Sequence, residues 1–145
     1  MNAKELSGFG YFKKVITEHY ADFDGRARRS EYWYYLLFNV IIMIPLYLIG
    51  IIGAASETMI LAILGFGLYG LFALALIVPS IAVVVRRLHD TGRSGWYYLM
   101  AFIPLVGGII LIVFLVEDSK PGSNKWGANP KEIGSTNDVI DHLES

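Results

Sequence analysis

The chain has no cysteine, so disulfides, thiol nucleophiles and cysteine-held metals are excluded at once. Charge is also scarce. Asp, Glu, Lys and Arg make up 17% of the residues, and three long runs carry none of them: Tyr32 to Ser56, Thr58 to Val85 and Ser94 to Val116. The first thirty residues lack an apolar h-region, which argues against a cleavable signal peptide. The histidines His19, His89 and His142 fall at no metal-ligand spacing, and no metal or cofactor is expected. Net charge is −1, which gives no reason to expect a nucleic-acid partner.

What is present is apolar length. A bilayer's hydrocarbon core of about 30 Å takes roughly 20 apolar residues to cross as a helix, and each uncharged run is that long. With 54% hydrophobic residues and mean hydropathy +0.49, the composition lies outside that of ordinary soluble domains. The expectation is an all-α integral membrane protein of one domain, with spans at 32–53, 59–85 and 96–116 and a polar tail over 117–145. Each span holds one proline, Pro45, Pro79 or Pro104, which predicts local kinks. Ahead of them, Phe9, Phe12, Ile16, Tyr20 and Phe23 recur at spacings of three and four. That predicts an amphipathic helix over 6–24 lying in the interface, or packed on the bundle's own loops.

The basic residues set the orientation. Nine of the twelve Lys and Arg lie in residues 1–31 and in the link 86–93. Both segments are therefore expected on the cytoplasmic side, with Glu57 outside. Three crossings put the tail outside as well. Pro104 and Gly107-Gly108 allow the alternative, a re-entrant third segment that returns the tail to the cytoplasm.

Two motif matches are discarded on context. Gly65-Phe66-Gly67-Leu68-Tyr69-Gly70 has the dinucleotide fingerprint, but inside a span rather than between a strand and a helix; close helix packing is the better reading. Asp90-Thr91-Gly92 reads as a helix-ending turn, since aspartic-protease chemistry needs two such carboxylates. His89, Asp90 and Ser94 crowd one loop, yet neighbours on a helix point about 100° apart and no G-x-S-x-G elbow is present. No catalytic residue is assigned, although His89 and Asp90 are the one acid/base pair an enzyme acting on a membrane-embedded substrate could use. Arg26, Arg28, Arg29, Arg86, Arg87 and Arg93 should converge on one membrane face. There they either bind phosphate-bearing headgroups or ligands, or simply mark topology and pair with Glu31 and Asp90.

Three segments carry a family resemblance: Phe23-Asp24-Gly25-Arg26-Ala27-Arg28-Arg29-Ser30-Glu31-Tyr32-Trp33, Arg86-Arg87-Leu88-His89-Asp90-Thr91-Gly92-Arg93-Ser94-Gly95-Trp96, and Asn124-Lys125-Trp126-Gly127-Ala128-Asn129-Pro130. Together they resemble the bacterial domain-of-unknown-function family 805, a family of small inner-membrane proteins. The resemblance implies a compact, multi-pass fold in the bacterial inner membrane and carries no activity. It marks Arg26, Arg29, Glu31, Trp33, Arg86, Arg87, His89, Asp90, Ser94, Gly95 and Trp96 as signature positions. The candidate ligand or headgroup site is that set with Arg93 in place of Gly95. Expected partners are membrane lipids, anionic ones among them, and a second copy or other membrane proteins. If the three signatures form one site, the tail must share the side of the other two.

Overall fold

The structure, a computed structural model, describes residues 6–132. The order of elements is α1 (Gly8–Thr17), α2 (Arg29–Ala55), α3 (Met59–Asp90), a 3₁₀ helix (Gly95–Phe102) and α4 (Gly107–Val116). His142 and the final dozen residues, for which loose order is expected, lie outside the described residues.

Ser7 caps α1, its hydroxyl accepting from the Gly10 N–H at 3.1 Å. The expected helix over 6–24 stops at Thr17, because the Glu18 and His19 N–H groups both turn onto the Lys14 carbonyl. Of the expected stripe, Phe12 and Ile16 pack against protein, whereas Phe9, Tyr20 and Phe23 are exposed. Tyr11, Phe12 and Val15 are buried, with Phe12 stacked on Tyr35 of α2 at a centroid distance of 5.9 Å.

Helices α2 and α3 form an antiparallel hairpin around the turn at Ser56–Thr58, where Glu57 takes a positive φ of 55°. At 27 and 32 residues they measure about 40 and 48 Å, more than one bilayer crossing. Only 17% and 22% of their most apolar windows are buried, so these are not the core helices of a soluble protein. Bare backbone brings them together: a Cβ on Gly53 would collide with the Ala62 backbone, and one on Gly65 with the Gly50 backbone. Gly67 and Gly70 have open space instead. Of the GxGxxG segment, therefore, only the first glycine serves the hairpin. Pro79 cannot donate to the carbonyl of Ala75 four residues earlier. The Tyr20 hydroxyl takes that role at 2.5 Å, satisfying a carbonyl that lipid could not.

Residues 96–116 do not form the single helix expected. The 3₁₀ helix ends at Phe102, and α4 starts only at Gly107. Between them Pro104 has no N–H to give, and Leu105 takes a φ of 68° that few non-glycine residues adopt. Gly107 then passes so close to the Met100 carbonyl that a Cβ there would overlap it. Ten residues of α4 are about 15 Å long, half a hydrocarbon core. The segment also starts and ends beside the same end of α3. Arg93, just before it, forms an ion pair with Glu117, just after it.

Candidate functional site

The last turn of α3 carries Arg86, Arg87, His89 and Asp90, all buried. A spacing of three puts Arg87 and Asp90 on one face of the turn, where they form an ion pair. Arg26 lies in the extended stretch that leads into α2. Gly25, with φ of 80°, turns the chain so that the Ala27 N–H donates to the Arg86 carbonyl at 3.0 Å.

Two carboxylates organise the cluster. Asp90, fully buried, accepts from Arg26 Nε at 2.9 Å, from Arg87 and from the Ser119 hydroxyl at 2.6 Å. Glu31, in the first turn of α2, accepts from Arg86 Nη1 at 2.8 Å and from Lys14 of α1 at 3.2 Å. Four cations thus surround two anions. Backbone carbonyls take the remaining donors of Arg26 and several of Arg87, whereas Arg86 Nε and Nη2 are buried without a hydrogen-bond partner among the described residues. Arg26 uses all five donors of its fork: besides Asp90 Oδ1 it reaches the carbonyls of Asp90, Lys120, Gly122 and Gly127 at 2.6 to 3.4 Å. Arg87 donates to the carbonyls of Ala27, Leu115 and Glu117. Only guanidinium offers five donors on one rigid plane, so Arg26 can tie the end of α3 to three residues of the tail at one point.

The tail closes the arrangement from outside. The Lys120 N–H donates to the Asp90 carbonyl at 3.0 Å, and Asn124 Nδ2 donates to the His89 carbonyl at 2.9 Å. Trp126 stacks on His89 with centroids 4.3 Å apart and planes 10° from parallel. Farther out, the Lys131 ion pair holds the Asp118 carboxyl below its ordinary value. The Gly122 N–H does the same for Glu132, helped by Asn129. Near α1, burial is the largest influence on the Asp22 carboxyl and raises it, but the His19 hydrogen bond, the Asp24 N–H and the charges of His19 and Arg86 together leave the group lowered.

The structure brings together Arg26, Glu31, Arg86, Arg87, His89 and Asp90. It leaves Arg29, Trp33 and Trp96 exposed. Arg93 packs over the Phe114 ring at 4.0 Å, and Ser94 caps the 3₁₀ helix by accepting from the Trp96 N–H. Arg86 and Arg87 are 1% and 0% exposed and pair with Glu31 and Asp90, the second of the two expected readings, but inside the protein rather than on the membrane face. Their charge is compensated by protein, which a count of residues along the chain cannot show. Asp90 serves Arg26 and Arg87 rather than His89, whose Nδ1 donates to the Gly25 carbonyl at 3.2 Å. Lys14 and Ser119 are participants that the sequence reading missed. Lys14 lies on the polar side of an amphipathic helix, and nothing in the tail distinguishes Ser119. Among the described residues no group of three or more His, Asp or Glu is placed to hold a metal.

All three signature segments meet in this one clamp, and residues 20–128 match the family described as "Protein of unknown function (DUF805)". The chain belongs to that family. Among its relatives, Inner membrane protein YhaI of Escherichia coli (strain K12) is 39% identical over 119 residues, 80% of this chain and 92% of the relative. Inner membrane protein YhaH of the same organism is 38% identical over 125 residues, 83% and 96%. No solved structure matches the chain. The stretch matched to the family includes the whole clamp apart from Lys14. The relatives are inner-membrane proteins, and the fold, all-helical with two long apolar helices and one short one, suits a membrane protein.

Proposed function

We propose that the protein is a non-enzymatic assembly module of the bacterial inner membrane: a helical hairpin with a folded cap on its cytoplasmic end. The observation that carries this reading is how the charged signature residues are used. Arg26, Arg87 and Asp90 are engaged with one another and with the chain's own backbone, so their chemistry builds the cap. What the molecule turns outward in the membrane is apolar helix, including a face of α3 where Gly67 and Gly70 meet nothing. Small residues let a second helix approach closely in lipid, so that face suits another copy or another membrane protein.

In this reading the N-terminal arm, the 86–93 link and the tail all lie in the cytoplasm. The cap contains Lys14, Arg26, Arg86, Arg87, Arg93, Lys120 and Lys131, whereas the opposite turn has Glu57 as its sole charge. Residues 95–116 then dip into the membrane and return. The N–H groups of Ile103, Val106 and Gly107 find carbonyls within the segment, which makes such a turn tolerable at depth.

Two measurements test this. A cytoplasm-active reporter fused after Ser145 should be functional; a reporter active only in the periplasm would overturn the layout. Energy transfer between labelled copies in vesicles should show association that Gly67→Leu with Gly70→Leu weakens at least tenfold. Copies that stay monomeric at every protein-to-lipid ratio, alone and with co-extracted membrane proteins, would remove the assembly function.

A further inference from the structure

A second feature, distinct from the clamp, runs along the side of α3. Ala73, Ile77, Ile81, Val85 and His89 follow one another at spacings of four, forming one ridge of the helix. A cavity of about 290 Å³ is lined by the first three, and a cleft of about 540 Å³ by the last three. Ile81 and Tyr98 line both, so the two follow one another along the ridge with a shared wall. The sixteen residue steps from Ala73 to His89 cover about 24 Å, more than the depth of one leaflet's hydrocarbon, about 15 Å. The groove therefore reaches from near mid-membrane up to the headgroup level.

Its upper end is chemically different from its length. His89 Nδ1 faces the Gly25 carbonyl, which can only accept, so Nδ1 carries the hydrogen. In the neutral ring, the prevailing form above the ordinary value of about 6.5, Nε2 is then a bare acceptor. The walls beside it are Trp126, stacked on His89, and Trp96, 78% exposed at the cleft. Lys125, exposed, holds its ammonium 4.2 Å from the Trp126 ring centre. A largely apolar channel, with Asn39 and Ser80 in the wall of its deeper part, thus ends at a hydrogen-bond acceptor, with Lys125 beyond the Trp126 ring.

We propose that this groove seats one phospholipid from the surrounding leaflet, with an acyl chain along Ala73 to Val85, its phosphate near Lys125 and a headgroup N–H or O–H donating to His89 Nε2. The proposal goes beyond the assembly reading. Charge complementarity selects a phosphate-bearing lipid, and the acceptor selects among headgroups. Phosphatidylethanolamine and phosphatidylglycerol carry a donor. Phosphatidylcholine has the same phosphate and chains but none.

The test is native mass spectrometry of the full chain at about pH 7.5, titrated with each of the three lipids bearing identical acyl chains. One copy of phosphatidylethanolamine or phosphatidylglycerol should bind about tenfold more tightly than phosphatidylcholine, the weight of a single hydrogen bond. His89→Phe keeps a ring to stack on Trp126 and should bring all three to the phosphatidylcholine level. Ile81→Trp enlarges the wall shared by the two cavities, away from the acceptor, and should abolish bound lipid of every kind. Equal binding of the three lipids to the natural chain, or unchanged binding in Ile81→Trp, would overturn the proposal. Should His89→Phe fail to fold, the headgroup series and Ile81→Trp still decide. Association of copies is read separately by energy transfer, so either idea can fail alone.

Discussion

Replacing Asp90 with Asn keeps the shape of the side chain and removes one negative charge from a fully buried position. Arg26 and Arg87, whose side chains are 2% and 0% exposed, would then lose the carboxylate that both of them grip. Removing one partner of a buried ion pair costs about 3–5 kcal/mol, because the remaining charge is left uncompensated away from water. At 1.4 kcal/mol per factor of ten, that is roughly a 10²–10³-fold rise in cap opening. The lesion should be local, since the bilayer still holds the hairpin. Hydrogen exchange in lipid nanodiscs reads it directly. The Ala27 and Lys120 amides, which donate to the Arg86 and Asp90 carbonyls, should lose 10²–10³-fold of their protection, while amides midway along α2 keep theirs. Unchanged protection at Ala27 and Lys120 would show that Asp90 does not hold the clamp. Equal loss along α2 would show that the cap and the hairpin open as one unit.

Arg26→Lys retains the charge but cannot reach four carbonyls and a carboxylate together. It should loosen the tail by about 3 kcal/mol or more, read as faster exchange at Lys120; a rate matching the natural chain would mean that charge, not fork geometry, matters. Gly65→Leu drives a side chain into the Gly50 backbone and should destabilise the hairpin by about 2 kcal/mol or more, measured as a greater label-to-label distance between α2 and α3. Acidification should act on the outer tail. The Asp118 and Glu132 carboxyls are depressed, so their contribution is complete above the ordinary values of 3.8 and 4.5 and is lost as pH falls through the lower folded values. Protection of the Gly122 amide, corrected for its intrinsic rate, should therefore hold near neutral pH and decline below about 4; a flat profile to pH 2 would contradict it.

The hairpin was legible because its signal is long and uniform: an uncharged run of more than twenty residues has few alternatives to a helix in lipid. The break in the third run was legible only as an option. Pro104 and the glycines after it permit a turn, but the close fit of Gly107 against the Met100 carbonyl is a tertiary fact. The arginines were legible in part: pairing with Glu31 and Asp90 was one of two readings, but burial was in neither. Clustered Arg beside an apolar run normally reads as hydrated topology signal, and Arg86 and Arg87 are buried because Glu31, Asp90 and the Leu115 and Glu117 carbonyls come to them from elsewhere in the chain. Similarly, Phe12 and Ile16 could cover lipid or protein with the same periodicity, and the aromatic face of α2 decides for protein.

A clamp that ties position 26 to 90 and 90 to 119 also sets an order of events during biogenesis. The helical hairpin can partition into the bilayer as soon as both its arms have left the ribosome. Asp90 and Arg26 cannot be sealed until some thirty or more further residues have been made. The Ser119 hydroxyl and Lys120 N–H that meet Asp90, and the Lys120, Gly122 and Gly127 carbonyls that meet Arg26, all follow Asp90 in the chain. Insertion and final closure are therefore separate steps. A nascent chain halted just after Val116 would be embedded in the membrane while its arginine fork still faced water.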